Sequence, residues 1–116
     1  RLIFISTGYF LSGSGSNAGL QANTETASFS GALRFDSLAS GSRFLGINMG
    51  VDLWLDPRAD NIRFERCRFN NISWNTTAAS TANRAQNLVF NKCYFNGVST
   101  TPQFYFDNLE ITNCII

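Results

Sequence analysis

The sequence predicts an all-β chain folded as a parallel β-helix, a solenoid of about four to five coils. Three observations predict it. One phrase returns three times, as NIRFERCRF from Asn61 to Phe69, NLVFNKCYF from Asn87 to Phe95 and NLEITNCII from Asn108 to Ile116. Within each phrase the apolar residues fall in pairs two apart, and a single step of three separates the pairs. After each of the first two phrases comes a further short β-rich run and then a polar loop of variable length.

Aligned on Cys67, Cys93 and Cys114, the phrases place Ile62, Leu88 and Leu109 in one column. Phe64, Phe90 and Ile111 form a second column, and Phe69, Phe95 and Ile116 a third. A degenerate copy stands upstream in SRFLGINM, with Ser42, Phe44, Ile47 and Met49 in these positions. The copies lie 20, 26 and 21 residues apart. Self-similarity at that period signals stacked supersecondary units.

The spacing within a phrase gives the kind of unit. Residues two apart share one face of an extended strand, so Ile62 with Phe64, and Cys67 with Phe69, each face one side. Phe64 and Cys67 are three apart, and an unbroken strand would put them on opposite faces. The chain must therefore bend at Glu65-Arg66, and likewise at Asn91-Lys92 and Thr112-Asn113, to turn both pairs inward. The apolar runs are too short and too rich in Phe and Ile to be helical. A small β-sandwich would also show short strands between turns, but it would not require the same three-residue step in every copy. A third strand is expected after each pair: Val51 to Leu55, Ile72 to Trp74, and Val98-Ser99. Stacked coils then form parallel sheets about 4.8 Å from coil to coil, with Phe on Phe, Cys on Cys and aliphatic on aliphatic.

Before the clear repeats, Leu2-Ile3-Phe4-Ile5 reads as a strand and the Gly/Ser/Asn tract from Ser12 to Gly19 as a loop. SFSGALRF, Ser28 to Phe35, reads as a probable first coil, with Phe29, Leu33 and Phe35 inward. The chain is thus one domain, 1–116. Residues 1–40 supply the N-terminal strand, loop and first coil, and 41–116 the regular coils. The longest loop runs from Asn75 to Gln86. The sequence starts at Arg1 and ends on the last residue of a repeat, Ile116, with no closing segment, so it reads as a solenoid truncated at one or both ends. Open ends favour self-association.

Composition narrows the function classes. Hydrophobic residues make up 44% and charged residues 15%, and eleven residues are Phe. That apolar content argues against disorder. Net charge is +1, with no basic run or stripe, which argues against a nucleic-acid partner. No apolar run approaches the ~20 residues of a transmembrane helix. His is absent, so Ser-His-Asp and Cys-His catalysis and the commonest zinc ligands are excluded within this chain. The three Cys are not in CxxC pairs, which excludes a zinc ribbon. Cys67, Cys93 and Cys114 read as a stack of buried thiols serving as small, inert hydrophobes. Their disulfide state stays open, because a bridge needs specific geometry.

The segment VDLWLDPRAD, Val51 to Asp60, carries the candidate chemistry. With Val51, Leu53 and Leu55 inward, Asp52, Trp54 and Asp56 point outward. An exposed indole between carboxylates suits a sugar ring and its hydroxyls, so Trp54, Asp52 and Asp56 are carbohydrate-binding candidates, together with Arg63. Paired carboxylates also serve glycoside hydrolysis, which makes Asp52, Asp56, Asp60 and Arg58 the catalytic candidates. The three Asp could supply hard oxygen ligands to Ca²⁺, and Arg58 and Arg63 could bind a substrate carboxylate. The same residues have a structural reading: Asp56-Pro57 opens a turn and Asp60-Asn61 precedes a strand. Arg63, Arg68 and Tyr94 point outward on adjacent coils, either as a polyanion contact with Glu65 and Arg66 at the bend or as a solubilising face. Asn71-Ile-Ser73 and Asn75-Thr-Thr77 fit the glycosylation sequon.

The N-[IL]-x-[FI]-x-x-C-x-[FI] phrase, clear from about Gly41 to Ile116, resembles the coils of the right-handed parallel β-helices of the pectin-lyase-like superfamily. Asn113 resembles the turn Asn often stacked in that fold, although Arg66 and Lys92 stand there in the other copies. The resemblance implies a secreted or cell-surface protein with a polysaccharide partner. Coils of this kind serve polysaccharide lyases and hydrolases, adhesins and phage tailspikes. The NTD, DD, GH and RIK motifs of polygalacturonases do not occur, and LDPRAD is only superficially similar to the RxPxxR segment of pectate lyases. The expectation is therefore a structural or carbohydrate-binding segment with no cofactor. The alternative is part of a polysaccharide lyase or glycoside hydrolase acting on acidic polysaccharide, with Ca²⁺ under the lyase alternative.

Overall fold

The backbone bends where the three-residue step requires it. The computed structural model describes residues 1–6, 27–31, 33–56, 58–74, 84–97 and 106–116, and for 51, 52, 72–74 and 106 the backbone only. Arg66, Lys92 and Asn113 hold φ of 53°, 54° and 54°, and Gly46 holds 68° at the same point of the degenerate copy. A second column of left-handed residues opens each phrase: Gly41 at 78°, Asn61 at 56°, Asn87 at 54° and Asn108 at 62°. Left-handed backbone costs an ordinary L-residue about 1–2 kcal/mol, and Gly and Asn tolerate it best. Each repeat thus carries two fixed corners with a short strand between them.

The strands are β1 (Ile3–Ile5), β2 (Leu33–Phe35), β3 (Arg43–Leu45), β4 (Asn48–Leu55) and β5 (Arg63–Glu65). They continue as β6 (Arg68–Trp74), β7 (Ala85–Asn91), β8 (Tyr94–Phe95) and β9 (Phe106–Thr112). A short 3-10 helix, Ser37–Ala39, is the one helical element among the described residues. Successive strands alternate between two sheets, one ordered β1-β3-β5-β7-β9 and the other β2-β4-β6-β8. Every pairing between these strands is parallel, which departs from the antiparallel sheets of a β-sandwich. The register follows the sequence repeat: Phe4 pairs with Phe44, Phe44 with Phe64, Phe64 with Phe90 and Phe90 with Ile111.

The expected third strand is not separate. Val51 to Leu55 belongs to β4 and Ile72 to Trp74 to β6, each continuous with the strand before it. A register shift between Met49 and Asp52 takes up the change of direction. Such a bulge re-aims side chains without ending the ladder. Val98-Ser99, Ser12 to Gly19 and most of Asn75 to Gln86 lie outside the described residues.

The core lies between the sheets. Phe44, Ile47, Met49, Leu53, Leu55, Ile62, Phe64, Phe69, Leu88, Phe90 and Phe95 are all buried. Phe4, Phe29 and Leu33 pack against them, and Phe35 is buried as expected. Equal residues stack face to face because neighbouring parallel strands lie at about the spacing that stacked rings need. Phe44 and Phe64 stack at 5.2 Å, Phe64 and Phe90 at 5.0 Å, and Phe69 and Phe95 at 5.2 Å. The two stacks meet edge to face, with Phe64 and Phe69 at 83° and 5.2 Å.

The Ser6 hydroxyl, fully buried, accepts from the Ala27 N–H at 2.9 Å, which ties the end of the first described segment to the start of the second. From there Ser28 bridges to Asn48, and β2 pairs with β4. No helix among the described residues is long and apolar enough to cross a membrane.

Candidate functional site

The aspartates of VDLWLDPRAD are placed by the corner that follows β4. Leu53 and Leu55 are buried and Trp54 between them faces out, 46% exposed. Asp56 was expected to continue this alternation outward, but it is only 5% exposed. The strand ends at Leu55, and the carboxylate turns back to accept the Arg58 N–H at 3.2 Å. Two guanidinium groups flank it, Arg34 at 3.6 Å and Arg58 at 3.7 Å. Its backbone is engaged as well, donating to Phe35 O at 2.9 Å and accepting from the Ala59 N–H at 3.0 Å. Asp56 is therefore the anchor of the corner.

Asp60 is committed to the next coil. Its Oδ1 accepts the Gln86 N–H at 2.8 Å, and its own N–H donates to the Ser40 hydroxyl at 3.0 Å. Arg58 is exposed and faces Asp56. Arg63 lies on β5, in the other sheet from Trp54, with its Nε 3.6 Å from Glu65. The backbone of Asp52 pairs with Asn71, and its side chain lies outside what is described. The structure thus brings Asp56, Arg58 and Arg34 together and leaves Asp60 and Arg63 apart from them. No group of three His, Cys, Asp or Glu able to hold a metal is present among the described residues.

The cysteines form the expected column. Cys67, Cys93 and Cys114 are free, and each thiol donates to the carbonyl of an aromatic one coil back. The distances are 3.3 Å from Cys67 to Phe44, 3.6 Å from Cys93 to Phe64 and 3.4 Å from Cys114 to Phe90. The neighbouring Cys67 thiol raises Cys93 above the ordinary thiol range, and burial adds to the rise. Cys67 is drawn down by its contact with Cys93, against its burial. Burial pushes Cys114 up.

Two polar features escape a reading by apolar columns. The first is a ladder along one corner: Asn87 Nδ2 donates to Asn61 Oδ1 at 2.8 Å, and Asn108 Nδ2 to Asn87 Oδ1 at 3.0 Å. The signal was the Asn that opens each phrase. The second is a groove of about 320 Å³ on the outer face of the β4-β6-β8 sheet, lined by Asn48, Gly50, Arg68, Asn70 and Asn96. Arg68 lies opposite Tyr94, with its guanidinium carbon 5.2 Å from the ring centroid. Asn96 Nδ2 donates to Asn70 Oδ1 at 3.2 Å. Here the signal was the Asn after the last Phe of two phrases, in Phe69-Asn70 and Phe95-Asn96. Searches against protein-family profiles, curated proteins and solved structures return no match to this chain.

Proposed function

We propose that the chain forms coils of a right-handed parallel β-helix like those of the pectin-lyase-like superfamily. Its role in this reading is that of a structural or carbohydrate-binding segment of a secreted or cell-surface protein. The solenoid is supported by strict alternation of strands between two parallel sheets, and by ladder registers that step from one copy of the phrase to the next. Fold alone does not choose an activity, so the function rests on the outer surface.

The observation that carries it is the contrast around β4. Trp54 is held outward on a flat parallel sheet, next in register to Arg34. The carboxylates of Asp56 and Asp60 are spent on backbone N–H groups and arginines. An exposed indole on a rigid sheet is a stacking platform that loses little entropy on binding. A hydrolase needs a pair of carboxylates facing one bond, whereas Asp56 ties down its own corner and Asp60 holds the Gln86 backbone.

Titration of neutral oligosaccharides against tryptophan fluorescence tests this reading. Saturable quenching that weakens at least tenfold in Trp54→Ala, a loss of about 1.4 kcal/mol, is expected. Quenching that is unchanged in Trp54→Ala would remove Trp54 from the site.

A further inference from the structure

We infer that the groove between Asn48, Arg68, Asn70 and Asn96 is a second binding site, one that takes an oxyanion carried on a polyhydroxylated ring. The ligand is identified as a sugar by the recognition reading above, and the acidic preference is argued from the groove itself.

Arg68 supplies the charge preference. The carboxylates of Asp56, Glu65 and Asp107 are each paired with other arginines. Arg68 forms no ion pair among the described residues and rests over the Tyr94 ring. A guanidinium held this way presents its forked donors to a carboxylate or sulfate.

The rest of the groove is built for hydroxyls. Asn48 lines the groove, and its buried Oδ1 has no hydrogen-bond donor among the described residues; such an acceptor is costly unless a partner arrives. The Asn48 backbone cannot shift to relieve it, because its N–H donates to Ala27 O at 2.9 Å and its carbonyl accepts from Phe29 at 3.2 Å. The Asn96–Asn70 hydrogen bond occupies one donor and one acceptor, and both amides line the groove. Gly50 keeps the floor accessible: a Cβ there would lie 3.4 Å from Asn48 Oδ1. The volume, about 320 Å³, is at the lower end of the roughly 300–1,000 Å³ of small-ligand pockets, which suits one ring rather than a long chain.

Calorimetric titration of the 116-residue chain tests the site. The probes are a uronic-acid oligosaccharide, its methyl ester, a sulfated oligosaccharide, a neutral oligosaccharide of equal length, and inorganic sulfate. At least one acidic oligosaccharide is expected to bind ten or more times tighter than the neutral one and the ester, and which one does so identifies the oxyanion. Arg68→Gln should abolish that preference, Gly50→Ala should weaken acidic binding several-fold, and Arg43→Gln, on the other sheet, should change neither. A preference that survives Arg68→Gln, or falls equally in Arg43→Gln, overturns the site. So does inorganic sulfate binding as tightly as the sulfated sugar. Neutral binding lost in Trp54→Ala without any acidic preference would leave the recognition reading standing and the groove refuted. An Arg68-dependent preference together with neutral binding unchanged in Trp54→Ala would support the groove and refute Trp54.

Discussion

Asn87 donates its side-chain amide to Asn61 Oδ1 at 2.8 Å while both residues hold left-handed backbone, φ 54° and 56°. Asn87 also accepts from Asn108 at 3.0 Å, so one side chain links three coils. Asn87→Ala should lose both hydrogen bonds and incur the left-handed penalty, about 2 kcal/mol in all at this exposed site. Asn87→Gly should cost about half as much, because it keeps the backbone freedom. Urea denaturation of the two variants checks the order, and equal loss in both would refute the backbone part.

Phe64 is fully buried between the rings of Phe44 and Phe90, at 5.2 Å and 5.0 Å. Phe64→Ala should cost about 3–5 kcal/mol, the usual range for deleting a buried ring. In a domain of this size that is a large part of total stability. Thermal melting should show a broad, low transition or none, and a melting point near that of the parent chain would contradict the stacked core.

The thiols should react in order of exposure. Cys67 and Cys93 are each 2% exposed, and Cys114 is more open at the last coil. Alkylation of the native chain should modify Cys114 first and leave the other two until unfolding. The pH dependence follows from Cys93 and Cys114, both raised above the ordinary value of 9.0, and they outweigh the single opposite shift of Cys67. A raised thiol keeps its proton in the folded state while the unfolded chain loses it, so their contribution is present below about pH 9 and declines above it. A denaturation midpoint that rises between pH 8 and 10 would contradict this assignment.

Asp56 should matter to the corner. Asp56→Ala removes the acceptor for the Arg58 N–H and leaves Arg34 and Arg58 without their carboxylate. A loss of about 2 kcal/mol is expected, as for a hydrogen bond to a charged group. Asp56→Asn should lose less, because its carbonyl can still accept from that N–H. Denaturant midpoints separate the two.

Much of the stacking was legible because it rests on local spacing. The step of three between Phe64 and Cys67 can bring both inside only through a bend, and Arg66, Lys92 and Asn113 supply that bend. The degenerate copy was legible for the same reason: Ser42, Phe44, Ile47 and Met49 are all buried. What was not legible came from partners distant in sequence. Asp56 seemed to continue the outward alternation of Trp54, but Arg34 from the coil below draws its carboxylate in. The union of Met49 with Leu53 in one strand depends on a bulge, which the apolar pattern does not mark. The groove around Arg68 is assembled from three coils, so neither Asn48 nor Asn96 announced it alone.

The most direct test of the recognition reading is an array of acidic and neutral polysaccharides, probed with and without Ca²⁺ while ultraviolet absorbance follows unsaturated products. The account predicts binding without product, with binding of the neutral polysaccharides lost in Trp54→Ala. Product that forms in the parent chain and disappears in Asp56→Ala or Arg58→Ala, with folding intact, would contradict it and make the corner after β4 a catalytic centre.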